Sequence, residues 1–279
     1  MRTADPAPVV VGVNGSAAGL AAVRLAAREA VARHRELRVV HAFAWPGYDA
    51  AAEGVPYDQL RHRAAEVLAR AVATAIRSAP SARVAGSLVD GLPTRVLLDH
   101  SRTANLMVLG DDDLATTGRL PTDSVLVQVV ARARCPVLVA RGVGPPGGPV
   151  VVGVDGSPAS LLALHHAVAE AERRHAVVQV VHVAEAADDP ADAETKGRQV
   201  RNEAIAAVPG LDPALIRTLP GDPATALARA SAHAQLLVIG RRGDSPALGT
   251  LLGAVAQKLL RRASCPTVFV PGSAAGGPT

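Results

Sequence analysis

The stretch VVVGVNGS, Val9 to Ser16, returns as VVVGVDGS from Val150 to Ser157, at an offset of 141 residues. Internal repetition decides how everything else is read, because each copy then needs a core of its own. The match runs on. GLPTRVLLDHSRTANLMVLG from Gly91 aligns without a gap on GDPATALARASAHAQLLVIG from Gly221, and CPVLVAR from Cys135 aligns on CPTVFVP from Cys265, both at an offset of 130. Between the copies lies RGVGPPGGP, Arg141 to Pro149, whose glycine and proline density marks a linker. The chain therefore divides into two repeats, 1–142 and 148–279.

Within each repeat, short Val/Leu-rich runs alternate with longer alanine-rich segments of helical period. The short runs are apolar on successive residues, as strands of a parallel sheet covered on both faces must be. In the second repeat the strands read Val150–Val154, Val177–Val183, Ile216–Leu219, Leu236–Gly240 and Thr267–Val270. Helices are expected from near Pro158, Ala191, Pro223 and Leu251. The predicted fold class is α/β: two repeated doubly wound domains, each a mostly parallel five-stranded sheet with helices on both faces.

Composition narrows the function. At 279 residues and 49% hydrophobic content the chain fills a core in either repeat, while aromatics at 2% disfavour stacking on single-stranded nucleic acid. The net charge of +4 comes from interspersed arginines and acids without a basic stripe, so no nucleic-acid partner is expected. The two cysteines, Cys135 and Cys265, each precede a proline and an apolar run, which suits small core residues in a reducing compartment. No signal-like leader and no apolar run near the ~20 residues of a membrane span is read, so a soluble, cytoplasmic protein without a membrane partner is expected.

Open α/β sheets bind ligands beyond the carboxyl ends of their strands, where strand order reverses. Three features of the second repeat converge on that edge: Asp155, Gly156 and Ser157 after the first strand, Gly221 after the third, and the loop from Gly240 after the fourth. Neither GxxxxGK[ST] nor a GxGxxG after an early strand is present, which disfavours a P-loop kinase or a nicotinamide-dependent dehydrogenase. The observed spacing is Gly240, two residues, Gly243, nine residues, then Gly253 and Ala254. Ser16 and Ser157 lack the GxSxG setting of a hydrolase nucleophile and are read as helix N-caps. Neither His165 nor His166 has a partner at zinc spacing, and no metal site or catalytic residue is assigned. His41 and His182 occupy one repeat position at the end of the second strand, read as polar side chains at a strand edge, with a role beside a bound ligand as the lesser alternative.

The glycine spacing resembles the GxxGx9G[ST] signature of the ATP-binding branch of the universal stress protein family, and VVGVDGSPAS, VVHV and CPTVFV resemble that family as well. The likeness covers both repeats over nearly their whole length and implies a tandem universal stress protein. It further implies that Asp155 lies against the nucleoside, that the backbone of Val183 meets adenine, that Gly240 and Gly243 flank ribose and phosphates, and that Gly253 opens the helix that receives phosphate. Helix N-terminal N–H groups and their dipole suit that role. The implied ligand is an adenine nucleotide, ATP with or without Mg.

Ala254 departs from the signature by removing a hydroxyl, while Arg241 and Arg242 stand in the loop as candidate phosphate partners. The first repeat departs further, with Asn14 for Asp155, Asp113 for Gly243 and Asp123 for Gly253. A carboxylate about 4 Å from a phosphate charge is repelled by roughly 4 kcal/mol at an effective dielectric of about 20, so that site is read as degenerate. The acids Asp111, Asp112 and Asp113 are read as a solvated turn.

Three function classes stand. The first is a nucleotide-holding protein of stress response or signalling, with ATP in the second repeat. The second is a slow ATPase or an adenylyl-transfer enzyme, and the third an assembly module in which both sites have decayed. The two repeats are expected to pack as an intramolecular pseudo-dimer through their last strands, with a further homodimer open.

Overall fold

The computed structural model describes residues 6–45, 56–111, 123–142, 145, 147–185, 189–242 and 252–272. It divides into two compact units, one for each copy of the repeat. The first unit carries β1 (Val9–Val13), α1 (Ala17–Ala32), β2 (Leu37–Phe43), α2 (Tyr57–Ser78), β3 (Val84–Asp90), α3 (Pro93–His100), β4 (Leu106–Gly110), α4 (Val125–Arg132) and β5 (Val137–Ala140). The second carries β6 (Val150–Gly153), α5 (Pro158–Arg174), β7 (Val178–Ala184), α6 (Pro190–Ala207), β8 (Ile216–Pro220), α7 (Pro223–Ser231), β9 (Leu236–Gly240), α8 (Ala254–Arg262) and β10 (Thr267–Val270).

All described ladders within each unit are parallel, and the strand order is the same in both: β3-β2-β1-β4-β5 and β8-β7-β6-β9-β10. The apolar runs without alternation follow from this arrangement, since β1, β4 and β5 are buried at every residue. In the first unit α1 and α2 pack together on one face while α3 and α4 pack against each other. The equivalent helices of the second unit, α5 with α6 and α7 with α8, pair in the same way. The α/β class with two repeated domains, expected from the sequence, is the observed one.

The strand order reverses between β1 and β4 and again between β6 and β9, so each unit has its switch point at the position where the DGS-type turn leaves the sheet. Those turns are built alike. Ser16 Oγ accepts the Gly19 N–H at 2.9 Å, and Ser157 Oγ accepts the Ser160 N–H at 3.2 Å, so both serines cap the following helix. Both cysteines are buried, and burial pushes the Cys265 thiol up to about 12, which keeps it protonated and inert. Among the described residues no helix is long and apolar enough to cross a membrane.

Candidate functional site

A cavity of about 310 Å³ opens at the second unit's switch point. Its floor is the carboxyl end of β6 and β9, its sides come from β7, α6 and α7, and its far end is the start of α8. Of the residues singled out by sequence, Asp155, Ser157, Val183, Gly240, Arg241, Arg242, Gly253 and Ala254 line it together. Gly156 and Gly221 do not. They are turn positions at φ 88° and 122°, conformations that glycine adopts without strain. Gly243 lies outside the described residues.

The backbone at the base of the cavity follows from ladder parity. Residues of a parallel strand present N–H and C=O alternately to one neighbour and the other. The Val150 N–H donates to Val177 O at 2.9 Å and the Val154 N–H to Val181 O at 2.9 Å, so odd-numbered residues of β7 face β6. The β6 ladder ends at Gly153 and Val181, and the Gly221 N–H meets Ala184 O on the opposite side. Val183 therefore turns its N–H and C=O toward the cavity, past the end of β6, where no strand receives them. A donor and an acceptor side by side on one residue match the edge of a nitrogen heterocycle.

At the far end the chain supplies donors of another kind. In the second unit α5, α6 and α7 begin on side-chain caps, from Ser157, Asp189 and Asp222. The start of α8 has none. Gly253 donates its own N–H to Arg241 O at 2.9 Å, which ties the loop to the helix entry. The N–H groups of Ala254, Val255 and Ala256 meet no acceptor among the described residues and open on the cavity beside Arg241 and Arg242. Open N–H groups, the helix dipole and the neighbouring Arg241 and Arg242 give this end of the cavity the chemistry that suits an anion.

Asp155 caps the turn between these ends. Its Oδ1 accepts the Ser157 N–H at 3.0 Å and the Ser157 hydroxyl at 2.6 Å. Gly240 is glycine for a reason on the other side of the sheet, since a Cβ there would meet the Ala159 carbonyl at 3.1 Å. Sequence reading missed Lys196, Glu185, Ser160 and Leu227, which also line the cavity. It also placed His182 at an edge. That ring is 3% exposed, with Nδ1 3.0 Å from Val154 O, and it holds the end of the neighbouring strand. His41 does the same in the first unit, with Nδ1 2.7 Å from Val13 O. Among the described residues no group of three or more His, Cys, Asp or Glu could hold a metal.

Two α/β units of the same strand order, each with a switch-point cavity that ends on a helix start without a side-chain cap, make a duplicated fold. Residues 7–141 and 148–271 each match the universal stress protein family, and the chain belongs to that family, carrying its domain twice. A universal stress protein of Mycolicibacterium smegmatis is 30% identical over 291 residues, covering 97% of this chain and 99% of its own. One of Mycobacterium tuberculosis strain H37Rv is 32% identical over 291 residues, covering 93% and 95%. The crystal structure of a universal stress protein from Archaeoglobus fulgidus superposes with a TM-score of 0.70 at 18% identity, covering 95% of this chain and 98% of that one, which shows the shared fold.

Proposed function

We propose that the second repeat holds an adenine nucleotide, ATP, and that the chain acts by holding it, as a stress-response or signalling protein of the ATP-binding branch. The observation that carries this reading is the uncapped start of α8, aimed at a cavity beside Arg241 and Arg242 in a unit whose other described helices are capped. The phosphates would take the Ala254, Val255 and Ala256 N–H groups, and the base would meet the Val183 amide. Asp155 and Ser157 would face the ribose between them. Mg, where present, would be carried by the phosphates. A pseudo-dimer of the two repeats, a further homodimer and a cytoplasmic setting belong to the same proposal, resting on the repeat, the short linker and the sequence reading alone.

The test is a melting experiment on residues 148–279 and on residues 1–142. A ligand at 100 times its dissociation constant stabilises the bound form by about 2.7 kcal/mol. ATP should raise the melting temperature of 148–279 and leave 1–142 nearly unchanged. Equal shifts in both, or a shift in 1–142 alone, would overturn the assignment.

A further inference from the structure

Helix α8 has two ends, and the one remote from the cavity is gripped by a side chain from outside the helix. The Arg141 guanidinium donates through one terminal nitrogen to Leu259 O at 3.3 Å and Ala263 O at 3.2 Å, and through the other to Leu260 O at 2.5 Å. These carbonyls belong to the last turn and its cap, the groups a helix leaves open at its carboxyl end, and a cation there also suits the helix dipole. We propose that Arg141 is a positioning residue for the nucleotide site of the second repeat. By fixing the carbonyl end of α8 it sets where the other end presents the Ala254, Val255 and Ala256 N–H groups. The inference rests on the nucleotide reading above and adds to it a residue that does not line the cavity.

The stretch read from sequence as a linker thereby becomes part of the frame of the site. Arg141, Gly142, Gly148 and Pro149 belong to the second compact unit. Gly142 has φ 53°, and a Cβ there would run into the carbonyl oxygen of Ser264, two residues beyond α8, so glycine lets the chain follow Arg141 onto this surface. The far end is tied as well, since Gln235 donates its side-chain amide to Gly148 O at 2.6 Å and its N–H to Pro149 O at 3.1 Å. Carbonyls of a last turn point along the helix axis, so the Arg141 bonds oppose sliding of α8. The Lys258–Asp222 pair on its flank is exposed and is the weaker restraint. A nine-residue helix is about 13 Å long and moves as a body, so a shift at its carbonyl end is passed to its N–H end. The repeat equivalent of Arg141 is Pro271, which has no side-chain donor.

The full chain, Arg141→Ala, Arg141→Lys and Arg262→Ala are titrated with ATP by calorimetry, and the unfolding of each is followed without ligand. Arg262 is exposed in the same last turn, so Arg262→Ala removes an equal charge at that end and leaves the Arg141 bonds in place. Arg141→Ala should fold and bind ATP roughly three- to tenfold more weakly than the parent. Arg141→Lys keeps the charge but has one nitrogen for three carbonyls, and its affinity should fall between the two. Arg262→Ala should stay within about twofold of the parent. The proposal is overturned if Arg141→Ala loses stability yet keeps the parent's ATP affinity, the mark of a cap that only stabilises the fold. It is overturned equally if Arg262→Ala weakens binding as much as Arg141→Ala does. Should Arg141→Ala fail to fold, Arg141→Lys decides, and parent-like affinity in that variant overturns the proposal. Absence of ATP heat in the parent would instead remove the nucleotide reading itself, and the inference with it.

Discussion

Ala254 stands at the first position of α8, where the signature the loop resembles has a hydroxyl residue, so the proposed anion site would rest on backbone N–H groups and the two arginines. A hydrogen bond to a charged group contributes about 1.5–3 kcal/mol. Ala254→Ser should recover part of that and tighten ATP binding severalfold by calorimetry. An unchanged affinity would mean that the phosphates lie elsewhere. His182 illustrates the opposite kind of residue. Its polar character suggested an edge, but the ring is buried and spends one nitrogen on the Val154 carbonyl at 3.0 Å. Sequence shows the histidine and its repeat partner His41; only packing shows that both hold a strand end.

Among the elements, α7 and α8 are joined by one side chain with two duties. Asp222 caps α7 by accepting the Thr225 hydroxyl at 2.7 Å and its N–H at 2.9 Å, and it pairs with Lys258 of α8 at 2.9 Å. The Thr225 and Lys258 hydrogen bonds hold its carboxyl down to about 2. A carboxyl lowered in the folded state stabilises above its ordinary pKa of about 3.9, and that contribution is lost as pH falls toward 2. The group is largely exposed, so the effect is small. Asp222→Asn should be less stable than the parent by a constant amount above about pH 4, with the gap closing toward pH 2. Chemical denaturation at a series of pH values checks this, and a gap unchanged at pH 2 would show that the carboxyl is not held in its charged form.

The strands and helix starts were legible because duplication displays each one twice and because buried parallel strands are apolar throughout. The helix after Gly253 begins three residues later than the Leu251 that sequence suggested, since an N-cap geometry at Gly253 needs the loop's hydrogen bond to Arg241. Lys196 was not legible. Nothing local marks it, and it reaches the cavity only because α6 packs over β7. The Val183 edge was implied by resemblance, but its direction needs the register of β6 and β7.

At the scale of the whole molecule, one fold occurs twice with the same strand order and a cavity at the switch point of each unit, while the residues that follow the fourth strand and precede the last helix differ in charge. Asp111 and Asp123 in one stand where Arg241 and Gly253 stand in the other. Duplication supplied the scaffold, and the two copies differ at those positions. The central claim is that phosphate lies on the open start of α8, and Gly253→Asp tests it most directly. Gly253 has φ −61° and ψ 154°, already the geometry of an N-cap that aspartate prefers. Its carboxylate would cap the free N–H groups and place a negative charge where phosphate belongs. Unliganded stability should therefore be kept or raised by a few tenths of a kcal/mol, while ATP affinity falls at least tenfold. The measurement is calorimetric titration of ATP into the full chain and into Gly253→Asp, with each variant's unfolding followed without ligand. One ATP per chain in the parent, and weakened binding in a variant that is at least as stable, is the predicted result; unchanged ATP affinity in the folded variant would contradict it.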